Sequence, residues 1–152
     1  MTTSTARSIA NQGNAAVAPI SGDAYRDAMS RIAGAVHVIA SDGVAGPGGA
    51  TMTAVTSVTD APPTVLICLN RNGRLNALLH ANGVFSVNTL VAGDEALAGV
   101  FAGVGGIDHP DRFAHGVWTR GATGAPLLAG ARASLDCRVS ESVDVGSHTV
   151  FF

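Results

Sequence analysis

The chain contains no lysine; all nine of its basic residues are arginine. That absence excludes Schiff-base chemistry on a side-chain amine. It also excludes a P-loop nucleotide hydrolase, which needs its loop lysine. An anion must therefore be held by arginine or by backbone N–H groups. Carboxylates are scarce as well: Glu95 and Glu141 are the only glutamates, and no carboxylate pair or nucleophile elbow stands out. The two cysteines, Cys68 and Cys137, lie inside apolar strand-like runs and read as buried free thiols, not a disulfide. No cluster has zinc spacing, and Asp108 to Asp111 reads as a proline-broken loop, not a metal site. No apolar run approaches the ~18 residues of a membrane span. The first residues lack an apolar signal core, so a cytoplasmic protein is expected. No GxGxxG fingerprint is present, since Gly103, Gly105 and Gly106 have the wrong spacing. A nicotinamide nucleotide would not bind here in the Rossmann manner.

What remains is a compact globular composition. The 152 residues suffice for one core, with 47% hydrophobic and 13% charged residues. A net charge of −2 gives no electrostatic case for nucleic acid or an anionic membrane. Residues 1–20 lack periodicity and read as a flexible tail, leaving 21–152 as the domain. Asp23 is the expected cap of a helix over Ala24–Ile32, with Tyr25, Met29 and Ile32 on one face. A strand is expected at Val36–Ala40 and a glycine-rich loop at Asp42–Gly49. Strands follow near 50–59 and 64–69, then a short helix over Leu75–Ala81 stopped by Asn82-Gly83. Val84–Leu90 alternates as a strand. Asp94–Phe101 reads as a helix that Gly103 ends. Phe113–Val117, Ala133–Glu141 and Val145–Phe152 complete the expected elements. Many short strands with few helices suggest an antiparallel barrel.

The densest signal runs from Gly49 to Arg74. Thr51, Thr53, Thr56, Ser57 and Thr59 place more small hydroxyls on one segment than packing alone requires. They suit a flat polar ligand lying along the strand, although the same residues could simply pack. Pro62-Pro63 cannot donate ladder hydrogen bonds and is expected to interrupt pairing. The apolar run Thr64–Leu69 then delivers Asn70, Arg71, Asn72, Gly73 and Arg74 to one turn. Amide and guanidinium groups there could grip a phosphate.

From Tyr25 onward the order of segments resembles the short-chain flavin reductases, the small partners of two-component flavin-dependent monooxygenases. The resemblance rests on YRDAMSRIAGAVHVIAS, TAVTSVTDAPPTVLICLNR, GVFSVNTL, FAG, RFAHGVW, GAPLLAGARASLDCRV and VGSHTVFF. The similarity is greatest to the hydroxyphenylacetate and pyrimidine-ring-opening branches. It implies a mainly β split barrel, homodimeric, with flavin near the subunit interface, and a chain truncated at its C-terminus. It implies flavin contacts from Thr51, Met52, Thr53, Ala54, Val55, Ser57 and Val58, with Met52 standing where the family often has alanine. Asn72, Gly73 and Arg74 match the turn that meets the flavin phosphate, with Arg71 or Arg74 supplying charge. Phe101 matches an aromatic packed near the flavin. His148 matches the family's nicotinamide-contacting histidine, although Ser147 replaces the aspartate that often precedes it. No catalytic side chain is implied, because the protein's task is to position the cofactors. The expected activity is reduction of FMN or FAD by NADH or NADPH for a monooxygenase partner. The alternatives are a flavin-binding split barrel without reductase activity and a barrel without ligand.

Overall fold

The computed structural model describes residues 18–152, so the tail expected over 1–20 lies almost wholly outside the described residues. Two compact units are present, one ending at Ala33 and the other running from Gly34 to Phe152. The first contains helix α1, Gly22–Ser30. Its cap is Ser21, not Asp23: Ser21 Oγ accepts from the Ala24 N–H at 3.2 Å. Asp23 instead lies in the first turn, where a carboxylate favours the helix dipole, and pairs with Arg26. Tyr25, Met29 and Ile32 are all exposed.

The second unit is mainly β. A first antiparallel sheet has the order β2-β1-β5-β8, from Gly48–Met52, His37–Ser41, Val84–Thr89 and Ala133–Arg138. A second has the order β3-β4-β10-β9, from Val55–Asp60, Pro63–Asn70, His148–Phe151 and Ser142–Val145. β6 (Trp118–Arg120) and β7 (Pro126–Leu128) form a small third sheet. The expected mainly β class is therefore the observed one, with the barrel split into separate sheets. Helices α2 (Arg74–Asn82) and α3 (Glu95–Ala102) pack against this framework. Both stop at glycines with positive φ, Gly83 (66°) and Gly103 (90°), where a side chain would strain the left-handed turn. The core brings Ile39, Ile67, Leu79, Phe85 and Phe151 together, all fully buried. Each such burial contributes roughly 1.5–3 kcal/mol.

Two differences from the expected elements matter for the site. The hydroxyl-rich segment is not one strand. It leaves the first sheet after Met52, bends at Thr53-Ala54, and enters the second sheet at Val55. The Val55 N–H donates to the Thr53 carbonyl at 2.9 Å, which tightens that bend. The prolines, in turn, do not break the ladder. Ala61-Pro62, a cis peptide, forms the hairpin turn, and Asp60 still pairs with Pro63 at the strand's first residue.

Gly48 and Gly49 were expected in a loop but begin β2. Their lack of a side chain lets α2 and α3 approach. A Cβ at Gly48 would stand 2.2 Å from Leu78 Cδ1, and one at Gly49 would stand 2.6 Å from Phe101 Cε1. The expected strand at 145–152 is a hairpin, with β9 ending at Val145 and Gly146 and Ser147 forming the turn. β5 is buried on both faces, because β7 covers the side opposite the core. Asn88 organises that covered face. Its Nδ2 donates to the Val38 carbonyl (3.2 Å) and to Ser86 Oγ (2.8 Å), and its Oδ1 accepts from the Leu128 N–H (2.9 Å) and Ser134 Oγ (3.0 Å).

Candidate functional site

A cavity of about 370 Å³ opens where β2, the end of β4, the start of α2 and the end of α3 meet. Thr51, Met52, Gly73, Arg74 and Phe101, all singled out from the sequence, line it. They come from three separate stretches, so the fold and not sequence proximity brings them together.

The start of α2 shapes the polar end. Gly73 occupies the N-cap position and supplies no side-chain hydrogen bond to the helix. The first backbone N–H groups of a helix have no intrahelical acceptor, and the dipole adds partial positive charge. Arg74 is the first residue of α2 and has no carboxylate within ion-pair distance among the described residues. Arg71, the other candidate charge, pairs with Asp144 at 3.1 Å. Of the two arginines at this turn, Arg74 is therefore the one without an ion pair among the described residues. An uncapped helix start beside an unpaired guanidinium fits a phosphate by charge and by hydrogen-bond donors. Thr51 presents an acceptor to the cavity rather than a donor, since its hydroxyl donates to the Ala98 carbonyl at 2.7 Å.

Arg112 and His109 also line the cavity. Arg112 is a structural clamp: Nε donates to the Ile107 carbonyl (3.0 Å) and Nη1 to the carbonyls of Gly49 and Phe101 (3.1 Å each). One guanidinium thus ties β2, α3 and the following loop into one wall. His109 is held below the ordinary imidazole value, first by burial and then by the Arg112 and Arg74 charges, with Asp108 opposing. It is neutral at neutral pH.

His148, expected at the nicotinamide, does not line the cavity. It is exposed and pairs across the β10–β4 ladder with Asn70, which lines the cavity. The Arg71 N–H donates to the Ser147 carbonyl at 2.9 Å, so the β9–β10 turn is fastened to the turn before α2. Ser147 Oγ lies 2.9 Å from His148 Nδ1. The serine hydroxyl is thus within hydrogen-bond reach of the imidazole.

Other expected residues lie elsewhere. Thr53, Ala54, Val55, Val58 and Asn72 do not line this cavity. The bend at Thr53-Ala54 carries β3 into the other sheet, where Ser57 lines a second cavity of about 750 Å³ together with Pro62, Leu135 and Cys137. That cavity is larger, yet it gathers one expected residue against five. The cysteines are free, as expected, but only half-buried. Burial, with the Asp136 charge second, pushes the Cys137 thiol up to about 11, so it is no nucleophile at neutral pH.

Sequence reasoning did not single out Asn76, His109 or Arg112 for this site. Asn76 lies three residues beyond the N-cap, where a helix side chain can reach the open end. Arg112 sat inside the RFAHGVW segment without an assigned role.

Residues 29–152 match the flavin reductase like domain. The chain is 50% identical over 143 residues to the FMN reductase (NADH) RutF of Ancylobacter novellus, covering 93% of this chain and 77% of that protein. Among solved structures it is similar to the NADH:FAD oxidoreductase of Streptomyces globisporus. That match has a TM-score of 0.78 and 34% identity, over 91% of this chain and 83% of the other. It is similar also to the styrene monooxygenase flavin reductase of Pseudomonas putida. There the TM-score is 0.72 and the identity 31%, over 84% and 79% of the two chains. Family match, sequence identity and shared fold agree: this chain belongs to the flavin reductase like family.

Proposed function

We propose that this protein is a flavin reductase that uses NADH to reduce FMN. The observation that carries the reading is the donor-rich cavity at the start of α2, in a chain half identical to a named FMN reductase (NADH). FMN ends in a phosphate monoester, and an uncapped helix start with a free arginine suits that group.

When bound, the flavin supplies a ring that accepts hydride from the reduced nicotinamide. The chain's own residues bind and orient. Arg74 and the first N–H groups of α2 hold the phosphate arm. Thr51 and Met52 line the path toward the sheets, and Phe101, clamped from behind by Arg112, gives a fixed apolar wall. His148, within reach of Ser147 Oγ and paired across the ladder with the cavity-lining Asn70, would meet a second nucleotide. No side chain needs to move a proton for hydride transfer, in keeping with the scarcity of carboxylates.

The reduced flavin would serve a monooxygenase partner, as the name of the Pseudomonas putida relative implies for that protein. A homodimer is part of the proposal. Val58, Leu135, Val143 and Val145 expose apolar surface along β3, β8 and β9, and β3 is a sheet edge. Two unpaired thiols accord with a cytoplasmic setting.

The test is NADH oxidation with and without added flavin. Turnover is expected only when flavin is added, with FMN preferred over FAD. Tight FMN binding without NADH turnover would instead indicate a flavin-binding protein that is not a reductase.

A further inference from the structure

Among the described residues, two buried side-chain polar atoms have no hydrogen-bond partner: Asn76 Nδ2 and His109 Nδ1. Both residues line the same cavity. The other buried polar side chains among the described residues are paired. Asn88 uses both ends of its amide, Ser41 Oγ donates to the Val84 carbonyl, and Thr149 Oγ1 donates to Asp144. A buried polar atom left unpaired is costly, so two such atoms on residues that line one cavity point to a ligand that completes them.

Their placement is fixed. Asn76 is 6% exposed and sits in the first turn of α2, at the uncapped end. His109 lies in the loop that Arg112 fastens to β2 and α3, next to Gly48.

We propose that Asn76 and His109 contact the ligand and set a preference for flavin that carries a phosphate. Asn76 Nδ2 donates to the phosphate seated at the start of α2, and His109 bonds to the same arm from the loop after α3. The proposal rests on the FMN reading above and adds the residues that select the phosphorylated form.

The test compares FMN with riboflavin, which lacks the phosphate, in wild type, Asn76→Leu and His109→Phe. Flavin fluorescence gives both dissociation constants, and thermal unfolding of the flavin-free protein is measured alongside. Asn76→Leu is expected to weaken FMN about tenfold, the loss of one charge-assisted hydrogen bond. Riboflavin should change by less than about twofold. The flavin-free Asn76→Leu protein should melt at or above the wild-type temperature, because an unpaired buried donor has been removed. A purely structural asparagine would give the opposite sign. His109→Phe should move FMN the same way, and His109→Gln, which keeps a polar N–H, should recover part of the loss. Unchanged FMN binding in both apolar variants would overturn the proposal while leaving the FMN reading standing. Equal weakening of FMN and riboflavin would overturn it too. Wild type that fails to bind FMN would sink both.

Discussion

Asn88→Ala is expected to destabilise the protein by about 3–4 kcal/mol, the largest effect of any single polar truncation in the sheet. The residue is fully buried and touches four strands through its amide. Truncation leaves the Leu128 N–H without a partner in the interior and takes the side-chain donor from the Val38 carbonyl, whose residue still pairs with position 88 in the ladder. Each orphaned group costs about 1–3 kcal/mol, and a small cavity adds to that. The unfolding midpoint should fall by on the order of 10 °C. Asn88→Asp keeps the acceptor that Leu128 and Ser134 use but loses the donor to Val38. It should therefore unfold at a lower urea concentration than wild type while remaining better than alanine if the carboxyl is protonated. A wild-type-like urea midpoint for Asn88→Ala would show that β7 is not held to the sheet through this amide.

Phe101→Ala carries the second large effect. The ring is 1% exposed and forms an aromatic cluster with Phe113 and Trp118, at centroid separations of 5.3 and 5.4 Å. Its edge also fills the space left by Gly49. Removing it should cost about 3–5 kcal/mol, the usual range for a buried phenylalanine. Because Phe101 also walls the cavity, FMN affinity should drop with stability. Phe101→Leu separates the two roles. It keeps most of the volume and should lose less than about 1.5 kcal/mol. If FMN binding survives in Phe101→Leu, the ring acts by filling space; if binding is lost while the protein stays folded, the ring itself meets the flavin. Equilibrium unfolding and flavin titration on the same samples decide it.

Much of the framework was legible because the signals are local. The glycines that end α2 and α3 stand where left-handed backbone is needed, and the alternation of Val84–Thr89 announces a strand. The break at Thr53-Ala54 was not legible, since no glycine or proline marks it; the crossing between sheets is decided by which neighbours pair with β2 and β3. Gly48 and Gly49 looked like loop punctuation because their reason lies in Leu78 and Phe101, distant in sequence. The same holds for the site. Thr51, Gly73, Arg74 and Phe101 could be named from a resemblance to known segments. Asn76 and His109 could not, because a side chain reveals itself as unpaired only when its surroundings are known. Arg112 likewise declares its role through three carbonyls from separate elements.

On the proposed function, the start of α2 seats the phosphate of a flavin that NADH then reduces. The most direct measurement is the rate of NADH oxidation against FMN and riboflavin concentration, in wild type and in Arg74→Ala. In wild type FMN should be favoured over riboflavin, and Arg74→Ala should raise the apparent KM for FMN about tenfold with little change for riboflavin. Indifference of both flavins to Arg74, or NADH oxidation that proceeds without flavin, would mean that the start of α2 does not seat the flavin phosphate.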